Sequence, residues 1–147
     1  MRFTTKTEYG LVCLIYMAKN TEFKFDPITI KELVEAEQFS QTYTEKIMQN
    51  LRQAGIVNAL HGNHGGYVLA RTPQEITLKE IVEALEGGTF DVFCQPKIRD
   101  EIICTHFPLC GIKPVWEKTK NVLDELYQSL TLSMVANNEI KSVAMAD

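Results

Sequence analysis

Apolar side chains recur along this chain first all round a helix, then on one helical face, then in alternation, and that order lays out a fold. From Lys6 to Asn20 the residues are apolar nearly all round, with Cys13 in the middle, which predicts a helix buried on every side. From Ile30 to Glu37 only Leu33, Val34 and Ala36 share a face, as in a short helix with one inner side. A tight turn around Gln38 to Ser40 leads to a third helix, which turns Ile47, Met48 and Leu51 inward and which Gly55 is placed to end. The period then changes. Ile56 to Leu60 and Tyr67 to Ala70 are β-prone runs around His61-Gly62-Asn63-His64-Gly65-Gly66, and read as a hairpin. Two short helices joined by a tight turn behind a buried first helix make a helix-turn-helix, and a hairpin directly after it is a wing.

A fourth helix, Leu78 to Leu85, stops at Gly87-Gly88. Residues 89–113 show no sustained period and read as a loop. Pro114 suits the first position of a long last helix, in which Trp116, Thr119, Leu123, Leu126 and Leu130 are spaced 3, 4, 3, 4. Such a seam could cover its own domain. At the end of a small DNA-binding fold it points to dimerisation, because paired half-sites are read by a symmetric dimer. Thr-x-x-Glu recurs as Thr5/Glu8, Thr29/Glu32, Thr42/Glu45, Thr72/Glu75 and Thr77/Glu80, a spacing that suits capping boxes at helix starts. The expected architecture is therefore mainly α with a small β-hairpin wing: a winged helix-turn-helix over residues 1–75, then a linker helix, loop and long C-terminal dimerisation helix over 76–147.

Composition changes this picture in two places. The net charge of −4 argues mildly against nucleic acid, but it is unevenly spread. Residues 1–75 balance eight Lys/Arg against eight Asp/Glu, while 76–147 hold seven against eleven, so a DNA face stays open in the first half. The longest apolar run, Tyr9 to Ala18, is too short to span a bilayer, and Glu8 interrupts any signal-peptide pattern. A cytoplasmic protein with no membrane partner is expected. In that reducing compartment the three cysteines at 94, 104 and 110 suggest metal binding or redox sensing rather than disulfides.

Cys94, Cys104 and Cys110 are soft ligands that select an iron–sulphur cluster or zinc over hard cations. His106 lies between two of them, so a zinc site of three Cys and one His is a rival, and a thiol switch through sulfenic acid or disulfide is another. An enzyme with Cys104 or Cys110 as nucleophile and His106 as base is the remote alternative, because no third group orients the pair. The protein is read as a non-enzyme.

Met1-Arg2-Phe3-Thr4-Thr5-Lys6, then Ser40 with Tyr43-Thr44-Glu45-Lys46, then Leu51-Arg52-Gln53-Ala54-Gly55-Ile56-Val57, then Gly65-Gly66-Tyr67-Val68-Leu69-Ala70-Arg71 follow one another in a characteristic order. Together they resemble the Rrf-type bacterial transcriptional regulators, the family of IscR, NsrR and CymR, from residue 1 to about 135. The resemblance implies a homodimeric winged helix-turn-helix that binds a double-stranded operator. In many members it also implies a [2Fe–2S] or [4Fe–4S] cluster held by three cysteines before the long helix, sensing iron–sulphur, redox or nitric-oxide status; zinc, or no cofactor, is the alternative. The five-residue gap between Cys104 and Cys110 matches cluster-bearing members, whereas the nine-residue gap after Cys94 is longer than in IscR. The IscR-type histidine ligand is replaced by Lys113. Relatives of the NsrR type imply an acidic fourth ligand near the start of helix one, where this chain has Glu8, with His106 as the alternative.

A helix-turn-helix presents the first turn of its second helix to base edges, here Ser40, Gln41, Thr42, Tyr43, Glu45 and Lys46. Gln pairs bidentately with adenine, Glu accepts from a cytosine amino group, and Lys suits phosphate. Glu45 has a rival role as capping carboxylate for Thr42, although Ser40 is an equally good cap. Arg2, Lys6 and Arg52 are candidate phosphate contacts. His61 stands where many relatives carry a minor-groove arginine.

Overall fold

The computed structural model describes residues 3–20, 27–92, 104–106 and 109–141. Helix α1 (Thr5–Asn20) is the centre of the core: Cys13, Leu14 and Met17 are fully buried, and α1 packs against every other helix of the head. At Gly10 a Cβ would stand 2.4 Å from Leu85 Cδ1, so the missing side chain is what lets the fourth helix cross α1 this closely.

Helix α2 (Ile30–Glu37) starts at a capping box, with the Glu32 N–H donating to Thr29 and the Thr29 N–H donating back to Glu32. Helix α3 (Gln41–Gln53) is capped by Ser40 and buries Thr44, Ile47, Met48 and Leu51 along one side. Strands β1 (Val57–Leu60) and β2 (Gly66–Leu69) pair antiparallel in the register Val57↔Leu69 to Leu60↔Gly66. Ile28 bridges to Tyr67 through both backbone hydrogen bonds, 2.9 and 2.8 Å, which ties the wing to the segment before α2. Gly66 allows that bridge, since a Cβ there would lie 2.7 Å from the Ile28 carbonyl oxygen. The winged helix-turn-helix is formed as the sequence pattern predicts.

Helix α4 (Leu78–Glu86) also begins at a capping box, Thr77 with Glu80, and ends on Gly87 at φ 87°. Helix α5 (Lys113–Ser129) has proline in its first turn and stops one residue before Leu130. The chain then turns back. Leu130 O accepts from Leu78 N–H, Leu132 N–H donates to Ile76 O, and a short helix α6 (Leu132–Ala136) inserts Leu132 and Ala136 against α1. That last element was not predicted, and through it the core draws on residues from both ends of the chain. No helix among the described residues is long and apolar enough to cross a membrane.

Two of the five Thr-x-x-Glu pairs are capping boxes. Thr72 and Glu75 make only half of that contact in the turn before α4: the Thr72 N–H and hydroxyl both donate to the Glu75 carboxylate, while the Glu75 N–H donates to the Thr72 carbonyl. Thr42 and Glu45 do not form a box, because Ser40 already caps α3. Thr5 and Glu8 do not either, because Thr5 is the first residue inside α1 rather than its cap. The start of α1 is held from elsewhere: Glu86 Oε1 accepts from the Thr4 N–H at 2.9 Å and from the hydroxyls of Thr4 and Thr7.

Candidate nucleic-acid interface and cysteine loop

The geometry of α3 follows from its two faces. One side is fully buried, so the other must carry the polar residues, and Gln41, Thr42 and Lys46 are exposed there with Glu45 half-buried beside them. Gln41 Nε2 donates to Glu45 Oε1 at 3.0 Å, so the two proposed base readers hold each other in the free protein. The Tyr43 N–H donates to the Ser40 hydroxyl, and the rest of the N-terminal N–H groups leave the positive end of the helix facing outward.

Tyr43 plays a different part from its exposed neighbours. Its half-buried ring meets the edge of Tyr9 at 5.4 Å, and Tyr9 in turn stacks flat on Phe39 at 3.9 Å. These rings clamp the turn between α2 and α3 onto α1 and so fix the angle of α3. Tyr9 and Phe39 were not singled out from sequence. An apolar residue directly before a helix cap is the signal that was there to read.

The remaining candidates are dispersed. Arg52 is exposed in the last turn of α3, roughly 16 Å along the axis from Gln41 by helix rise. Lys6 borders a depression with Asn50, Gln53 and Glu86, and its charge helps to hold down the Glu86 carboxyl. His61, Asn63 and His64 are exposed in the wing loop. Arg2 lies outside the described residues.

Two of the three loop cysteines are described. Cys104 and Cys110 are half-buried free thiols on either side of a turn leading into α5, His106 between them is exposed, and Cys94 lies outside the described residues. Among the described residues no three His, Cys, Asp or Glu side chains come together as a metal site. Cys13 contrasts with both. Burial pushes its thiol up to about 12, aided by the charge of Glu37, which makes it an inert core residue. Lys113 makes an ion pair with Glu117 at 3.6 Å. Glu8 is exposed in the first turn of α1, and no described side chain bonds its carboxylate.

Helix α5 divides the residues of the seam read in the sequence between an outward and a half-buried side. Tyr127 is buried, its ring 6.3 Å from that of Phe3, with Trp116 and Leu123 half-buried, while Val115, Val122 and Leu126 are each about half exposed. With Thr119 they form one outward stripe, and Pro114, Val115, Val122 and Leu123 line a shallow apolar groove of about 490 Å³ along it. Inward, Asp124 fastens α5 to the end of α4: it accepts from the buried Thr89 hydroxyl, pairs with Lys120 and lies 3.9 Å from Lys79. Burial alone would raise the Asp124 carboxyl, but those bonds and charges outweigh it and leave it lowered.

The chain matches the family model described as Rrf2, iron-dependent transcriptional regulator, over residues 3–138. It is 30% identical over 137 residues to the HTH-type transcriptional regulator CymR of Bacillus subtilis, covering 93% of this chain and 91% of that protein. It is 26% identical over 139 residues to the HTH-type transcriptional regulator IscR of Escherichia coli, covering 95% and 82%. The solved structure of CymR, the global cysteine regulator of B. subtilis, is similar with a TM-score of 0.72 at 29% identity, covering 94% of this chain and 98% of that one. The structure of T. potens IscR is similar with a TM-score of 0.70 at 28% identity, covering 100% and 93%.

Proposed function

The chain belongs to the Rrf2 family of transcriptional regulators, and on that footing we propose that it binds a palindromic operator as a homodimer, reading base edges with the first turn of α3. The observation that carries this reading is the division of α3 into a fully buried face and an outward polar row of Gln41, Thr42, Glu45 and Lys46. In that assignment Gln41 and Glu45 read bases, Ser40, Thr42 and Lys46 hold phosphate, and Tyr43 positions the helix from behind. His61 is the wing's groove contact, and Arg2, Lys6 and Arg52 supply peripheral positive charge. The outward stripe of α5 supports the dimer, since Val115, Val122 and Leu126 leave apolar surface unpaired within one chain. Duplex selection with the purified protein tests the reading: it should return an inverted repeat with half-sites about one helical turn apart. Enrichment of single half-sites, or none, defeats it.

The finer proposal is that the loop before α5 is the sensor. Its donor set is chemically suited to an iron–sulphur cluster, with two accessible thiols in the described residues and a third in the same loop. Cys94, Cys104 and Cys110 would hold the group, with Glu8 as fourth ligand and His106 as the alternative; when bound it would supply sensitivity to oxidants or nitric oxide. Glu8 gains support in that no described side chain bonds its carboxylate, while Glu86 accepts from the Thr4 N–H at the start of α1. A second reading, regulation through the thiols themselves, has its own support in the likeness to CymR, a global cysteine regulator, and in the free state of Cys104 and Cys110. Anaerobic purification with iron, sulphide and zinc analysis separates the two.

A further inference from the structure

Where the start of α1, the end of α4 and the first turns of α5 converge, they enclose a cavity of about 460 Å³ that the reading above does not use. Its volume lies in the range of small-molecule pockets, roughly 300–1,000 Å³. Three aromatic side chains from three separate segments wall it: Phe3 before α1, Phe90 after α4, and Trp116 on α5, with Phe90 and Trp116 centroids 6.0 Å apart and tilted at 47°. Two carboxylates, Glu86 and Asp91, complete it, and among the described residues no Lys or Arg lines it.

That composition selects a ligand class. The faces of aromatic rings carry negative potential and attract cations, and the closing residues of α4 add the negative end of a helix dipole. Glu86 stays anionic: burial would raise its carboxyl, but the hydroxyls of Thr7 and Thr4, the Thr4 N–H and the charge of Lys6 hold it below the ordinary value. The Thr4 and Thr7 donors all engage Oε1, and Glu86 itself lines the cavity. The Asp91 carboxylate lies over Gly88, where a Cβ would meet Oδ1 at 3.0 Å, so the glycine gives that carboxylate its seat. Among the described lining an anionic molecule meets two like charges.

We propose that this cavity is a binding site for small organic ammonium ions, with the ammonium between Glu86 and Asp91 and the apolar body against Phe3, Phe90 and Trp116. The site does not depend on the cysteine loop carrying a cluster, nor on the assignment of base-reading residues. A ligand in it touches the head through Phe3 and Glu86 and the long helix through Trp116 at once.

Trp116 is the only tryptophan of the chain and lines this cavity, so its fluorescence reports on binding there. The full-length protein, without DNA, is titrated with n-butylammonium, tetramethylammonium and 1,4-diaminobutane, and with butyrate and 1-butanol as anionic and neutral controls of similar size. Saturable change is expected with at least one cation and not with butyrate. Asp91→Asn, at an exposed position, should weaken the cation about fivefold with folding intact. Glu86→Gln should weaken it further, read alongside circular dichroism because Glu86 also holds the start of α1. The proposal is overturned if no cation gives a saturable signal, if butyrate or butanol binds as well as the cations, or if Asp91→Asn leaves a cation's affinity unchanged.

Discussion

Helices α1 and α5 are nearly equal in length and opposite in how they are used. Of the 16 residues of α1, six are buried; of the 17 of α5, only Tyr127 is. The apolar surface of α1 is spent inside its own chain, on α3, α4 and α6, whereas Val115, Val122 and Leu126 on α5 are left facing outward. The core around α1 is closed within this chain, α6 included, whereas α5 keeps an apolar stripe on its surface. That difference also explains the two kinds of cysteine. Cys13 belongs to the satisfied helix and is chemically silent, while Cys104 and Cys110 sit in the approach to the unsatisfied one and stay accessible.

The contrast can be broken from either side. Leu14→Ala, at a fully buried site of α1, should destabilise the whole protein by ~2–5 kcal/mol, measured as the loss in urea unfolding free energy. Val122→Asp, at a position 58% exposed on α5, should leave the helical circular dichroism intact and convert the dimer to monomer in sedimentation. A dimer that survives this charge would mean that the outward stripe is not the interface.

A smaller effect sharpens the role of Glu86, which joins the two helices' surroundings. Replacing it with Gln should cost about 1 kcal/mol, the usual loss for an N-terminal cap, with fraying confined to the start of α1 in hydrogen exchange. Its folded carboxyl titrates lower than in the unfolded chain, so its contribution is complete above the ordinary glutamate value of about 4.3 and is lost as pH falls through the lower folded value. The parent should therefore lose stability between pH 4.3 and lower values more steeply than Glu86→Gln, by difference in melting temperature.

What could be read from sequence divides along the same lines. Local chemistry was legible: the boxes at Thr29 and Thr77, the stop at Gly87, the inner row of α3 and the wing all depend on residues within a few positions of one another. Long-range chemistry was not. Glu86 caps a helix whose capped residues lie 79 and 82 positions earlier, so the nearer Thr5/Glu8 pair offered a plausible but unformed box. Helix α6 is too short to show a period, and it exists because the backbone of Leu130 and Leu132 pairs with that of Leu78 and Ile76. On α5 the structure splits the residues of the seam: Leu126 is about half exposed on the outward stripe with Thr119, and Trp116 and Leu123 are half-buried, a distinction their spacing alone does not carry. Among the candidate base readers, Tyr43 was grouped with its neighbours, and only the rings of Tyr9 and Phe39 show that it faces inward.

The central claim is that the outward row of α3 reads operator sequence, and the direct measurement is duplex selection on the parent, Glu45→Ala and Lys46→Ala. Glu45→Ala should change the preferred base at one position in each half-site, a discrimination of ~1–3 kcal/mol, and also release Gln41 from its 3.0 Å bond. Lys46→Ala should weaken every sequence alike and lower the salt dependence of binding by about one phosphate contact. Identical preferences for the parent and Glu45→Ala would contradict the account.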